Sequence, residues 1–381
     1  MSAVTIIQRI VPHYRHALFQ RLHARFGWTV ACAARPPKGH FFDLVEDAPY
    51  MRRFDFRFPD PRRPHIARVP VRRILRETGA RAVIAEGSIW MSSTWSLAFA
   101  RRLMGNPATL FWSHGFSMER GLATPWQRLQ QRARLAYVRR ADGHVCYSAE
   151  GKAFLDRYID PARVLVVRNT QDLAPMQARA ARLGRQPAPG RPSLLTIGRF
   201  SADKDFPRLV RVFKSLRADF PDAHLTLIGD GPDAPRVRAE AGALLGTAID
   251  MPGLIYDEDD LAARFMAADL VVFPGAVGLS VNHALAYGLP VIAYDRTPQG
   301  PFHHPEIAYV VDGATGLRVP DYNEAAMGQA LADFLRRHPD PRADFADSIA
   351  RYVRENIALD VMVEDFSRVR DFLRARGVAE A

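Results

Sequence analysis

Cysteine is nearly absent from these 381 residues: Cys32 and Cys146 sit in apolar, strand-like runs with no CxxC spacing. That excludes a disulfide scaffold and a cysteine zinc site, and makes a reducing compartment the expectation. The opening stretch, MSAVTIIQRIVPHYRHALF, brings charges and a proline within twelve residues, so no signal-peptide apolar core forms and secretion is not expected. One run without acidic or basic residues, 270–294, is long enough to cross a bilayer. It is broken by Pro274, Gly275, Gly278, Asn282, His283, Gly288 and Pro290, and reads as strand, loop, short helix and strand in a folded core. Internal repeats and low-complexity tracts are missing too. What remains, 48% hydrophobic and 24% charged residues, is ordinary globular composition, and the length predicts two domains.

Acidic residues are scarce in the first half. Residues 1–170 hold 28 Lys+Arg against 12 Asp+Glu, +16, while 171–381 hold 24 against 29, −5, which together give the net +11. A basic half points to an anionic substrate, an anionic membrane or nucleic acid. Arg52, Arg53, Arg57, Arg62, Arg63, Arg68, Arg72, Arg73 and Arg76 interleave with Phe54, Phe56 and Phe58. That pattern suits headgroup contact with shallow apolar insertion, and is equally that of a solvated arginine-rich surface.

Strand-like and helix-like runs alternate twice. In the first half strands are expected at 4–10, 29–34, 82–86, 109–112, 144–147 and 164–167, with helices at 14–26, 95–104 and 126–139. The pattern restarts with strands at 194–197, 225–228, 270–273 and 291–294, and helices at 206–219, 233–245, 259–267 and 279–286. This is βαβ grammar, hence parallel sheets covered by helices on both faces. Two doubly wound domains are predicted: 1–170 and 193–355, joined by an Ala-, Arg-, Gln- and Pro-rich connector at 171–192. Helices from about 324 onward close the chain, the last at 356–381 and returning to the first domain. Ligands of such sheets bind at the carboxyl ends of strands, so the cleft between the domains is the expected site.

Three segments carry chemistry. Thr196-Ile197-Gly198-Arg199-Phe200-Ser201-Ala202-Asp203-Lys204-Asp205-Phe206 runs from a strand through a glycine turn and two cations into a helix. Glycine permits close backbone approach, a helix N-terminus favours an anion, and Arg199 with Lys204 can neutralise a diphosphate. Leu227-Ile228-Gly229-Asp230-Gly231-Pro232 ends a second strand in a glycine turn. The third, 273–292, opens a strand into the loop Pro274-Gly275-Ala276-Val277-Gly278-Leu279, whose amides can cradle a phosphate at the next helix. In the first half, Thr109 to Gly115 is a strand ending in His114-Gly115. The adjacent His303 and His304 lack a third ligand at metal spacing, and the Asp-x-Asp triplets at 203–205 and 257–259 are unconvincing metal sites, so no metal is expected.

In this order and spacing the three segments resemble the second domain of the family-4 glycosyltransferases of the GT-B fold, over most of residues 193–320. The resemblance implies that Arg199 and Lys204 hold the diphosphate of a nucleoside-diphosphate sugar, UDP or GDP type, which serves as substrate with no further cofactor. It implies donor contacts from Gly198, Gly229, Tyr256, Gly275, Val277, Gly278, Leu279, His283 and Glu306, the last after His304-Pro305. The family's third motif reads Glu-x7-Glu; here Gly275 and His283 stand at those positions, so neither carboxylate is present. Three explanations stay open: His283 contacts the ribose, backbone amides read the donor differently, or the protein is inactive. On the acceptor side the resemblance points to His114 beside the reacting sugar, with Glu119, and with His13 and Arg15 where relatives carry a glycine-rich loop.

The implied function is metal-independent, retaining sugar transfer to a hydroxyl of a glycan or lipid-linked acceptor in cell-surface polysaccharide synthesis. The expected location is cytoplasmic, at the inner face of the membrane. The alternatives are an inactive nucleotide- or glycan-binding protein and a basic nucleic-acid binder. The latter lacks any zinc, RNP or helix-turn-helix signature, so nucleic acid is not an expected partner.

Overall fold

The computed structural model describes residues 2–36, 44–60, 63, 65–114, 124–298 and 300–378. They form two units, one from residues up to Asp172 together with 359–378, the other Leu173–Ala358.

The first unit holds β1 (Val4–Ile7), β2 (Thr29–Ala33), β3 (Met51–Phe54), β4 (Ala82–Glu86), β5 (Ala108–Ser113), β6 (Gly143–Cys146) and β7 (Val164–Val166). They pair in parallel in the order β3-β2-β1-β4-β5-β6-β7. Its inner strands are mostly apolar because both faces are covered, while the edge strand β3 carries the exposed Arg52 and Arg53. In β4, Ala82 and Ile84 enter one core with Leu18, Phe19 and Phe366, while Val83 and Ala85 enter the other with Ile74, Leu97 and Phe111, the period-two alternation of a strand. The last helix, Leu359–Arg374, belongs to this unit. Phe366 meets the Trp112 ring edge-on at 5.2 Å, and the buried Asp365 accepts two bonds of 2.9 Å from the Arg168 guanidinium.

The second unit holds β8 (Ser193–Ile197), β9 (His224–Ile228), β10 (Ile249–Gly253), β11 (Leu270–Phe273), β12 (Val291–Tyr294) and β13 (Gly316–Val319), parallel in the order β10-β9-β8-β11-β12-β13. Both sheets thus share the Rossmann-type order, reversing direction between β1 and β4 and again between β8 and β11. The uncharged 270–294 run is β11, the helix Ser280–Ala286 and β12. Among the described residues no helix is long and apolar enough to cross a membrane.

Several expectations need correcting. Phe54 and Phe56 are not available for membrane insertion: β3 pairs with β2, Phe54 opposite Ala33, and both rings are buried in the core, with Phe58 packed against it. The phenylalanines turn inward, while Arg52, Arg53, Arg57 and Arg68 are exposed; Arg62 lies outside the described residues. The same arginine-rich stretch contains the helix Val71–Thr78, in which Val71, Ile74, Leu75 and Thr78 are buried. The 171–192 stretch carries the helix Ala174–Leu183, tied to the helix Glu258–Ala267 through Arg182 and Asp259, 2.6 Å apart. The helices Glu324–Arg337 and Pro341–Tyr352 need no such correction: they lie in the second unit, within the stretch 193–355.

Candidate functional site

The loops after β8 and β11 flank the second unit's reversal of strand order, where an open α/β sheet leaves a crevice at its carboxyl end. They are fastened together. The Ala276 N–H donates to the Asp203 carbonyl at 2.8 Å, and the Lys204 ammonium donates to the Ala276 carbonyl at 2.6 Å. Asp205 takes a left-handed φ of 47°, uncommon for a residue with a side chain, just before the helix Phe206–Leu216, and its carboxylate accepts from Arg208 Nε at 2.7 Å. Burial pushes the Lys204 ammonium below its ordinary pKa, while the charges of Asp203 and Glu306 pull the other way. Arg199, five residues earlier, is exposed.

Close backbone approach explains two glycines. A Cβ on Gly229, whose φ is 137°, would stand 1.9 Å from the Gly198 carbonyl oxygen; without it the turns after β8 and β9 nest, Phe200 N–H donating to Asp230 O at 2.9 Å. A Cβ on Gly275 would stand 2.4 Å from Asp203 O and 2.6 Å from Lys204 C. The residue at the family's first glutamate position is therefore a glycine over which the Lys204 loop closes.

On the other side the β11 loop is held by the segment after β12. Val277 N–H donates to His303 Nδ1 at 3.1 Å, and His304 N–H donates to Val277 O at 3.1 Å. His303 is fully buried; burial first, then the Arg296 charge, lower its pKa to about 3, so it serves as a neutral acceptor. Arg296 Nη2 donates to His304 O at 3.3 Å, bringing a third guanidinium or ammonium group to these loops. The sequence reading missed it; an arginine two residues past a strand end was its only signal. Glu306 is buried in the 3-10 turn Pro305–Tyr309.

His283 lies on the helix Ser280–Ala286. Its Nδ1 is buried without a hydrogen-bond partner among the described residues, and burial lowers its pKa to about 4. It is a neutral ring with an unused polar atom. Tyr256, in the loop after β10, is 82% exposed. The structure thus gathers Lys204, Gly275, Val277, Gly278 and Glu306 on three interlocked loops.

In the first unit His114 follows β5, its ring 4.9 Å from that of Tyr147. His13 is exposed on the turn after β1. Arg15, expected to face the acceptor, is buried instead. Its guanidinium donates to Asn169 Oδ1 and lies 5.1 Å from the Trp112 ring centre and 5.7 Å from that of Tyr147. The 3-10 turn His13–Arg15 runs directly into the helix His16–Phe26, and the side chain of residue 15 finds its partners far along the chain, at Asn169, Trp112 and Tyr147. Glu119 lies outside the described residues. Sequence reading also missed Arg9 and Glu86, which follow β1 and end β4 at this unit's own reversal point; Arg9 Nε donates to Glu86 Oε2 at 3.0 Å. A glutamate ending a strand beside Gly87 was the available cue. Among the described residues no group of three or more His, Cys, Asp or Glu could hold a metal ion.

Two Rossmann-ordered units, the second with cation-bearing loops locked at its strand-order reversal, define the GT-B architecture. Residues 191–337 match the family described as Glycosyl transferases group 1. Poly(glycerol-phosphate) alpha-glucosyltransferase of Bacillus subtilis is 28% identical over 145 residues, 37% of this chain and 20% of that protein. GDP-mannose-dependent alpha-(1-6)-phosphatidylinositol dimannoside mannosyltransferase of Mycobacterium tuberculosis is 31% identical over 102 residues, 26% of each. The chain thus spans about a fifth to a quarter of these curated relatives. Sucrose-phosphate synthase of Thermosynechococcus elongatus superposes with a TM-score of 0.71 at 21% identity, over 99% of this chain and all of that one, a likeness of fold. Residues 191–337, less than half of the chain, thus match the glycosyltransferase family, and the architecture is that of the GT-B fold.

Proposed function

We propose that this protein transfers a sugar from a nucleoside-diphosphate sugar of UDP or GDP type to a hydroxyl of a glycan or lipid-linked acceptor, retaining the anomeric configuration and using no metal. The observation that carries the reading is the Lys204 ammonium, held on the Ala276 carbonyl between two locked loops at the strand-order reversal. Breaking the glycosidic bond leaves growing negative charge on the diphosphate. Fixed cations and N–H groups stabilise that charge without reorganising, usually the largest catalytic contribution. Lys204, Arg199 and the amides around Gly278 are the groups for this, and the Arg296 guanidinium adds to their field. His283, neutral and with an unsatisfied nitrogen, offers the ribose one hydrogen bond where the family offers a carboxylate. His114 would stand beside the acceptor.

The relatives named above are glycosyltransferases, which favours transfer over the binding-only and nucleic-acid alternatives. A role in cell-surface polysaccharide synthesis, at the inner face of the membrane, is part of the proposal. It is supported by exposed arginines and by apolar side chains other than those first expected, Phe99, Leu103, Trp126 and Leu129.

The test is a screen of UDP- and GDP-sugars reading released nucleoside diphosphate, run also in excess EDTA and with Arg199→Ala and Lys204→Ala. Each substitution removes a charge-assisted bond of about 2–3 kcal/mol, roughly 30- to 150-fold in turnover. Unchanged kinetics in both folded variants would remove the donor assignment; loss in EDTA restored by Mg²⁺ would overturn metal independence.

A further inference from the structure

We propose that the first unit carries a second anion site, at the opposite end of its sheet, for a phosphate group attached to an apolar body. A cavity of about 820 Å³ opens at the amino ends of β4, β5 and β6. Arg9, Glu86 and His114 lie at the other ends of those strands or their neighbours, so the cavity is no part of the carboxyl-end site. Five arginines line it: Arg72, Arg76, Arg81, Arg101 and Arg376. They come from separate places in the chain, two from the helix Val71–Thr78, one before β4, one from the 3-10 turn Arg101–Met104 and one beyond the last helix.

Among the described residues the lining holds five arginines and one acidic residue, Asp142, whose Oδ2 is already taken by Arg101 Nη1 and by the Thr109 N–H at 2.7 Å. Arg376 is braced, its guanidinium 3.6 Å over the Phe372 ring and Nη1 donating to Phe372 O at 3.2 Å. Arg72 and Arg76 stand one helical turn apart, a like-charge pair that destabilises a helix by itself. Neither has an acidic partner among the described residues, whereas Arg73, on the adjacent stripe of the same helix, is paired with Glu77 at 2.6 Å. A bound phosphate relieves the repulsion and accepts bidentate guanidinium bonds. Leu75, Met104 and Val378 complete the wall and suit an apolar body behind the phosphate. The proposal is independent of sugar transfer.

Two soluble probes separate the sources of such a phosphate: inorganic pyrophosphate, and dihexanoyl-phosphatidylglycerol kept below its micelle concentration. Calorimetric titration is carried out in the Arg199→Ala/Lys204→Ala background, so that the donor loops do not contribute. Binding of the lipid monomer alone or more tightly assigns a lipid headgroup; tighter binding of pyrophosphate assigns a soluble phosphate and overturns the apolar part. Arg72→Ser/Arg76→Ser is expected to weaken binding at least tenfold, and Arg73→Ser, with the same loss of one cation per site changed but on the paired stripe, less than twofold. No binding of either probe at physiological salt, or equal weakening by Arg73→Ser, overturns the site.

Discussion

Gly275 and Asp203 approach so closely that a Cβ at position 275 would stand 2.4 Å from the Asp203 carbonyl oxygen. Any side chain there must push back the loop that presents Lys204, because backbone, not a flexible tip, occupies the space. Gly275→Ala is expected to cost roughly 1–3 kcal/mol of stability and to lower turnover. Gly275→Glu, which restores the family's carboxylate, should do no better. Thermal melts and released nucleoside diphosphate measure both; a Gly275→Glu protein with native stability and raised turnover would sink the steric account.

That contact shows where sequence reading stops. The strand at 270–273 and the glycine loop after it are legible because a fully buried parallel strand must be apolar and a backbone cradle needs glycine. Gly275 could be read only as a missing glutamate, since the Asp203 backbone that excludes a side chain lies 72 positions away. Phe54 and Phe56 misled for a similar reason. Arginine–phenylalanine alternation describes a half-exposed strand and an interfacial segment equally, and the β2 partner that decides between them is not local. Arg15 was misplaced because the turn that aims it inward depends on the aromatic rings of Trp112 and Tyr147, far along the chain.

Acid should weaken the first unit through His144. The ring is fully buried, 3.0 Å from Ser113 Oγ, and burial, with the Arg134 charge, lowers its pKa from 6.5 to about 3. Between those values the unfolded chain binds the proton and the folded chain does not, so stability is complete above pH 6.5 and falls as pH drops toward 3. The slope approaches 1.4 kcal/mol per pH unit, roughly 2 kcal/mol by pH 5. All five tryptophans lie in residues 1–172, so their fluorescence follows this unit during urea unfolding. His144→Gln should show a smaller loss between pH 7 and pH 5 than the native chain; an equal loss rejects the assignment.

Arg15 is expected to govern stability and not acceptor affinity. Arg15→Ala removes a bond to the buried Asn169 and stacking on Trp112 and Tyr147, together roughly 2–4 kcal/mol. Arg15→Lys keeps the charge but loses the planar fork and should fall between. The readouts are the melting temperature and the acceptor KM of the folded fraction. A raised KM with an unchanged melt would return Arg15 to the acceptor site.

Membrane contact is expected to run through the helix Pro125–Val138 and its neighbours instead of through Phe54 and Phe56. Residues 87–141 hold eight arginines and a single acidic residue, Glu119. Trp126 and Leu129 are 59% and 54% exposed, one turn apart, with Arg128 and Arg132 exposed beside them. Beyond the helix's far end Arg140 lies 4.2 Å over the half-exposed Phe99 ring. Apolar insertion flanked by arginine is the composition of an interfacial helix, and each arginine near an anionic surface adds about 1 kcal/mol, screened by salt. Co-sedimentation with phosphatidylglycerol vesicles should fall strongly in Trp126→Ser/Leu129→Ser and with rising salt, and be weak on neutral vesicles. Among the described residues neither side chain belongs to a hydrophobic core, so folding should survive the substitution. Binding that ignores both the substitution and the salt would leave a soluble acceptor as the reading of choice.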